Sequence, residues 1–245
     1  MKKRLIGWLS VILLILIWQI YANSIANTYI LPSPLTVFHA LVELLSSSLT
    51  YIIVLTTLLR LIIAFLLSFV LGVGFGVLAG NYSLLDDFLH PFVSTLRSIP
   101  IASIIVIVLI LMGKSRSLYL ITFLMLFPII YEATKDGVIH IDKQIKQAVS
   151  LETNNILVMM TRIQLPLAFP SIKTAVIQSI GLGFKVIVMA EFIAQSSVGI
   201  GKELYYGSIS INYAMVFAWT IIIIIIVMFV EKLVNYLKKT YDVKS

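Results

Sequence analysis

The sequence predicts an all-α, polytopic integral membrane protein with about six transmembrane helices, on the strength of three observations. Of the 245 residues, 60% are hydrophobic and only 12% are charged, and the mean hydropathy is +1.06. Soluble domains carry about 25% charged residues, so half of the charge needed for a water-facing surface is missing. Several apolar stretches approach the roughly 20 residues that a helix needs to cross the bilayer core. This composition excludes a soluble enzyme, and the lack of cysteine excludes a disulfide-stapled secreted domain.

The first apolar stretch follows Met1-Lys2-Lys3-Arg4 and has the layout of a signal peptide. No convincing cleavage site closes it, so we expect an uncleaved first transmembrane helix. Two later stretches contain Pro100 and Pro128, which are expected to bend or shorten their helices. Six is the favoured count, with five or seven left open. The predicted spans are 5–22, 61–80, 88–112, 118–131, 172–194 and 213–230.

The distribution of basic residues predicts the orientation of these spans. An even count places both termini on one side, where thirteen Lys and Arg residues lie, against three on the other side. Cytoplasmic loops retain Lys and Arg, so we expect both termini in the cytoplasm and a multi-pass protein of the cell inner membrane. The net charge of +7 has the same origin and does not indicate a nucleic-acid partner. The longest inner loop is 132–170.

The external connection 23–50 contains Leu31-Pro32-Ser33-Pro34, followed by apolar residues at the spacing of an amphipathic helix. A connector packed on the protein is the favoured interpretation, and a helix lying in the membrane interface is the alternative. The chain divides into an N-terminal helix with this connector (1–50), a transmembrane core (51–237) with a cytoplasmic loop (138–170), and a cytoplasmic tail (238–245).

Catalytic and metal-binding patterns are absent from the sequence. The stretch Gly113-Lys114-Ser115 lacks the first glycine of a phosphate-binding loop at its required spacing. The histidines, His39, His90 and His140, are scattered and fit no metal-ligand spacing, so we interpret them as interfacial. Asp86 and Asp87 are adjacent and are expected in a solvated turn. We therefore expect no enzyme activity and no cofactor or metal in this chain.

The inner loop contains two short apolar stripes at helical spacing. The first comprises Ile141, Ile145, Ala148 and Val149 and follows Asp142, a predicted N-cap. Thr153, Asn154 and Asn155 then interrupt the pattern. The second stripe comprises Ile156, Met159, Met160 and Ile163 and ends at Leu165-Pro166. The apolar face either packs on the inner ends of the spans or docks into a groove of a partner, and the pattern weights the two equally.

The same loop carries a resemblance. Gln147-Ala148-Val149, three residues, Thr153, nine residues and then Ile163-Gln164-Leu165-Pro166 resemble the E-A-A-x3-G-x9-I-x-L-P loop of binding-protein-dependent ABC importer permeases. Three further stretches resemble the nitrate/sulfonate/taurine-type branch. They are Leu31-Pro32-Ser33-Pro34, Leu58-Leu59-Arg60, and the run from Lys185 to Glu191 with Gly199-Ile200-Gly201 after it.

The resemblance implies a type I ABC importer permease fold in which the helix around residues 155–162 couples to a separate ATPase. It also implies two ATPase subunits holding ATP and Mg²⁺, a second permease subunit forming a homodimer, and an extracytoplasmic substrate-binding protein. The solute would be small, either anionic or resembling a thiamine precursor. The chain departs from the motif at Gln147 and Thr153. Thr153 is β-branched and disfavours positive φ, so Asn154 or Asn155 is expected to adopt it instead.

Polar and small residues inside the spans have two interpretations. Ionisable groups in a membrane span mark functional positions by default, so Lys185 and Glu191 either line the path or lock helices together. We favour the structural role and expect no direct bond between them, because six residues place them on different helix faces. Arg60 has the same two interpretations. Gly72, Gly76 and Gly80 form one ridge, which predicts close helix packing.

These observations predict the permease subunit of an ATP-driven importer. An ion-gradient-driven secondary transporter is the alternative, although no inverted repeat is evident between the two halves. An integral-membrane enzyme would need a cluster of His, Asp or Glu residues that the sequence does not supply.

Overall fold

The computed structural model describes residues 2–145, 147 and 155–242, without the side chains of 2–8, 231 and 233–242. The described residues form helices and connecting turns and no strand, which confirms the all-α prediction. The helices are α1 (Lys2–Ile25), α2 (Pro34–Ser46), α3 (Ser48–Asn81), α4 (Ser83–Ser98), α5 (Ile101–Ile139), α6 (Ile156–Ala194), α7 (Ile200–Ile209) and α8 (Tyr213–Asp242).

Four stretches within the described part of the chain are long and apolar enough to cross a membrane: α3, α5, α6 and Tyr213–Val230 of α8. The apolar part of α1, Leu9–Ile25, and α2 are shorter. The second predicted span began at residue 61, but α3 begins at Ser48 because Leu49 to Leu59 continue the apolar helix.

The connection between α1 and α3 is the short helix α2. Ser33 caps it by accepting a hydrogen bond from the Thr36 amide at 3.2 Å, and Pro34 occupies its first turn, where a missing N–H is harmless. The helix packs mainly on α8 and buries Val37 and Ala40. Its other side remains exposed, with Phe38 58% accessible. The favoured packed connector is therefore present, with one apolar face left uncovered.

Helix α3 runs parallel to the second half of α5. Its three ridge glycines each lie against α5, and each contact advances by four residues on both helices. Gly72 faces Ile130, Gly76 faces Thr134, and Gly80 faces Val138. The glycine ridge thus packs the two helices closely.

Helix α5 is divided at Gly113, whose φ of +72° and ψ of 177° are not helical. Helix α3 and residues 114–139 of α5 run parallel. The chain between Asn81 and Lys114 must therefore return along the bundle by the length of residues 114–139, which is about 37 Å at 1.5 Å per residue. Helix α4 and residues 101–112 make this return, interrupted at Ile99 and Pro100. The predicted span over 88–112 is divided at Ile99 and Pro100, in agreement with the bend or shortening expected there, because Pro100 cannot donate a helical hydrogen bond and holds Ile99 extended.

Helix α6 runs antiparallel to α3. Gln164 meets Asn81 at one end of the bundle, named here the Asn81 end, and Glu191 meets Arg60 at the opposite end, the Glu191 end. Trp18, late in α1, stacks on Phe217, early in α8, with ring centroids 5.3 Å apart. Because α8 follows α7 at the Glu191 end, α1 arrives there and α8 leaves it. The start of α1 and the end of α8 therefore both lie towards the Asn81 end.

Candidate functional site

The first turn of α6 is exposed and apolar. Asn155 caps it by accepting hydrogen bonds from the amides of Leu157 at 3.0 Å and Val158 at 3.3 Å. Ile156 is 48% accessible and Leu157 is 69% accessible. Two large aliphatic side chains thus project from the Asn81 end of the molecule.

A π-helical segment, Met159–Gln164, follows this turn and leads without a break into the rest of α6. The Leu165 amide bonds the Met160 carbonyl, five residues earlier. Pro166 supplies a reason, since it lacks an N–H and its ring clashes with the carbonyl four residues earlier, which a wider turn relieves. The predicted second stripe does not end at Leu165-Pro166 but continues into the membrane-length helix.

The predicted stripe divides between two environments. Met160 is buried at 5% exposure among Val77, Val138, Ala168 and Ile172, whereas Ile156 is exposed. Met159 and Ile163 are half-buried. Met160 therefore packs on the protein's own spans, and the exposed position that the stripe missed is Leu157. The π turn rotates the helix faces, so a 3.6-residue repeat cannot be extended through it.

The remaining residues of the predicted coupling loop are described in part. Asp142 accepts a hydrogen bond from the Gln144 amide at 2.8 Å, which confirms it as a cap. Gln147 is helical, and Asn155 has φ of −84°, so it does not take the expected positive φ. Ala148, Val149, Thr153 and Asn154 lie outside the described residues.

An amide pair anchors the π segment to α3. The Asn81 side chain donates to Gln164 Oε1 at 2.7 Å, and the Gln164 side chain donates back to Asn81 Oδ1 at 2.8 Å. Gln164 is 1% exposed and Asn81 is half-buried, so the pair is largely shielded from water. A buried amide satisfied by another amide joins two helices without placing any charge between them.

The Glu191 end contains a buried ionic cluster. Arg60 Nη1 lies 2.6 Å from Glu191 Oε1 and also donates to the Val198 carbonyl at 2.6 Å. Thr57 Oγ1 donates to Glu191 Oε2 at 3.0 Å and accepts from the Ile200 amide at 3.0 Å. The Gly201 amide donates to the same carboxylate oxygen at 3.1 Å. The cluster joins α3, α6 and α7.

Two glycines leave room for the Glu191 carboxylate in this cluster. A Cβ on Gly199 would collide with the Glu191 carboxylate, and one on Gly201 would collide with the Val188 carbonyl. Gly199 also has φ of +147°, which side-chain-bearing residues rarely adopt. The Gly199-Ile200-Gly201 turn is therefore shaped around Glu191. Sequence reasoning singled out Arg60 and Glu191 separately but could not pair them across 131 residues.

Lys185 lies apart from this cluster. It is exposed on α6, and among the described residues no hydrogen bond or ion pair to it is formed. The predicted absence of a bond between Lys185 and Glu191 is confirmed, because Glu191 faces Arg60 instead.

A second polar cluster lies towards the Asn81 end. Asp86, in the first turn of α4, accepts hydrogen bonds from Lys135 Nζ at 2.9 Å and from the Tyr131 hydroxyl at 3.0 Å. Burial raises the pKa of Asp86, but these hydrogen bonds and the charge of Lys135 outweigh it and hold that pKa below its usual value. The expectation of a solvated turn was wrong for Asp86. Nearby, Arg97 pairs with Glu132.

Residues 72–243 match the family described as binding-protein-dependent transport system inner membrane component. A probable ABC transporter permease protein of Brucella melitensis is 26% identical over 217 residues, covering 88% of this chain and 87% of that protein. A putative aliphatic sulfonates transport permease protein of Bacillus subtilis is 25% identical over 245 residues, covering 97% and 88%.

A third relative shares a shorter region. The trimethylamine N-oxide transport system permease protein of Pelagibacter ubique is 26% identical over 160 residues, which is 65% of this chain and 22% of that protein.

Proposed function

This chain belongs to the family of binding-protein-dependent transport system inner membrane components, and we propose that it forms, with a second copy of itself, the membrane path of its transporter. It is the permease subunit of an ABC importer and a membrane protein. In such importers a separate subunit hydrolyses ATP. We place ATP and Mg²⁺ in two partner ATPase subunits. A pair is proposed because no internal second copy of the fold occurs in the sequence.

The Asn81 end is assigned to the cytoplasm. Thirteen of the basic residues that flank the spans lie on the side predicted for the termini, and the start of α1 and the end of α8 both lie towards this end. The Glu191 end then faces outwards, where the substrate-binding protein would deliver its solute.

The exposed pair Ile156 and Leu157 is the observation that supports ATPase docking at this end. Exposed aliphatic side chains on the first turn of a helix suit insertion into a groove of a partner. Because the same helix continues to Ala194, a partner that moves this turn would act directly on a membrane span. The Asn81 and Gln164 amide pair would pass the same movement to α3.

The solute is proposed to be small and either anionic or similar to a thiamine precursor. The resemblance to the nitrate/sulfonate/taurine branch supports both classes. The Bacillus subtilis relative named for aliphatic sulfonates supports an anion, whereas the relative named for trimethylamine N-oxide is named for a dipolar molecule without net charge.

Co-purification in nanodiscs with candidate ATPase subunits tests the proposal. The wild type is compared with an Ile156→Glu, Leu157→Glu double variant, which changes exposed side chains and spares buried Met160. Leu84→Glu is the matched control, since Leu84 is 83% exposed near the same end but outside the loop. We expect the wild type and the control to retain the ATPase and the double variant to lose it while remaining folded.

Failure of any candidate ATPase to bind the wild type would contradict the proposed docking at the Asn81 end. Equal binding by the double variant would contradict docking through Ile156 and Leu157.

A further inference from the structure

A single row of exposed residues runs along the membrane part of α6. Between residues 171 and 192 the exposed side chains are Thr174, Gln178, Lys185, Met189 and Phe192. At 100° per residue, all of them lie within about 40° of Lys185 around the helix axis. Three of the five are polar, and the rest of this stretch is buried or half-buried.

The exposed side of α3 has a different composition. Its exposed residues between 51 and 70 are all hydrophobic: Tyr51, Ile52, Leu55, Leu59, Ile62, Ile63, Leu66, Leu67 and Val70. That surface suits contact with lipid chains. The α6 row does not suit it, because a polar surface of this kind is expected to face water or protein.

Lys185 lies close to the middle of the bundle. Gly183 packs against Leu61, near the centre of α3, and against Leu126, near the centre of the second half of α5. Lys185 follows two residues later, about 3 Å along the axis. A lysine without a partner among the described residues is costly at this depth in lipid, so a water-filled or protein-lined space must adjoin it.

The row ends beside α7, where Lys202 and Glu203 are neighbours in the chain. Phe192 contacts Tyr205 of α7 edge to face at 5.7 Å, and Tyr205 contacts Tyr206 at 5.9 Å. Lys202 Nζ lies over the Tyr206 ring at 5.3 Å. The acid on this part of α6, Glu191, is buried and neutralised by Arg60. On α7 Glu203 offsets the charge of Lys202, so Lys185 is the charge of this exposed row that no neighbouring acid offsets among the described residues.

We propose that this row of α6 lines the solute route and that Lys185 selects small anions there, attracting them by its charge near the middle of the membrane. The inference rests on the proposed permease function and narrows its solute to an anion. A route wall with an unpaired cation raises the local concentration of anions and repels cations.

Cysteine labelling tests this without knowledge of the solute, because the chain contains no cysteine. Met189→Cys places a thiol one helical turn from Lys185, and Leu59→Cys is the matched control at similar depth on the hydrophobic side of α3. The assembled transporter in membranes is treated with methanethiosulfonate reagents carrying either a sulfonate or a trimethylammonium group. Labelling is read from the mass of this chain.

We expect Met189→Cys to be labelled, the sulfonate reagent to react faster, and Leu59→Cys to remain unlabelled. Replacing Lys185 with Gln should lower the ratio of the two rates about tenfold, and replacing it with Arg should restore the ratio. A Met189→Cys thiol as inaccessible as that of Leu59→Cys would overturn the route, because the α6 row would then be covered by lipid or by a second copy of the chain. An unchanged ratio in Lys185→Gln would overturn the role of Lys185.

Co-purification of the ATPase is measured on the same variants. If the ATPase binds but Met189→Cys is not labelled, or shows no preference for the sulfonate reagent, this inference fails while the proposed function stands.

Discussion

The two ends of α6 are joined to α3 by different chemistry. At the Glu191 end a buried carboxylate receives hydrogen bonds from Arg60, Thr57 and the Gly201 amide. At the Asn81 end two neutral amides bond each other beside a π turn. Removing a partner of a buried charge strongly destabilises the fold, whereas separating an amide pair costs only the free energy of ordinary hydrogen bonds. The Glu191 end is therefore suited to hold its geometry and the Asn81 end to change it.

The largest effect is expected at the Glu191 end. Glu191→Gln leaves Arg60 without its counter-charge in a site where that side chain is 13% exposed. We expect a loss of about 3–5 kcal/mol in the free energy of unfolding. Thermal unfolding of the purified protein in detergent measures it.

The double variant Arg60→Met, Glu191→Met is the control for this change. Since it removes both charges, it should be more stable than either single variant. If Glu191→Gln unfolds at the wild-type temperature, the cluster does not hold this end.

Asp86 and Lys135 form a charged pair towards the Asn81 end. Removing this pair tests how far the two ends differ in stability. Asp86→Asn leaves Lys135, which is 10% exposed, without a carboxylate. We expect a loss of about 2 kcal/mol, because hydrogen bonds to charged groups contribute roughly 1.5–3 kcal/mol. A loss as large as that of Glu191→Gln would mean that the two ends are held equally firmly.

The pH dependence of this loss follows from the lowered pKa of Asp86. A carboxyl whose pKa is lower in the folded state stabilises the fold at pH values above its unfolded pKa, about 3.9, and loses this contribution as the pH falls through the folded value. The difference between wild type and Asp86→Asn should therefore be constant between pH 7 and pH 5 in thermal unfolding. A difference that shrinks within this range would contradict the assignment.

The glycine ridge between the ends offers an internal control. A Cβ at Gly76 would lie 2.6 Å from Thr134 Cβ, whereas one at Gly74 would meet nothing within 4 Å. Gly76→Ala should cost about 1–3 kcal/mol by overpacking, and Gly74→Ala should be neutral or stabilising. Equal thermal stability of the two variants would show that α3 and α5 are not closely packed.

The smallest stability effect is expected for the amide pair. The double variant Asn81→Leu, Gln164→Leu removes both hydrogen bonds and leaves neither amide unsatisfied, so it should cost about 1 kcal/mol or less. If the pair passes movement from the ATPase to α3, this variant should bind the ATPase normally and transport poorly. Normal transport would limit the pair to packing.

Much of the fold could be predicted because hydropathy and length are local properties. The stretch after residue 172 and that after Tyr213 needed only an apolar run of membrane length. The break at Pro100 was signalled, but its consequence depends on α3 and α5 running parallel, which no local pattern reveals. Gly113 appeared only as part of a failed phosphate-loop match.

The candidate site was predicted less completely, for two physical reasons. The stripe through Met160 assumed an α-helical repeat, and the π turn before Pro166 changes which residues share a face. The partner of Glu191 is distant in sequence, so its charge could be noticed but its environment could not. Lys185 and Glu191 look equivalent in sequence, and only tertiary packing makes one exposed and the other buried.

The unbroken length of α6 makes it a lever. From Ile156 to Gly183, one of the places where it touches both neighbouring helices, the arm is about 40 Å long, and a rigid tilt of roughly 5° about Gly183 would carry the Ile156 end about 3.5 Å. Lys185, about 3 Å from the fulcrum, would shift by less than half an ångström. A movement applied to the Ile156 end can thus tilt the whole of α6 while Lys185 stays nearly stationary.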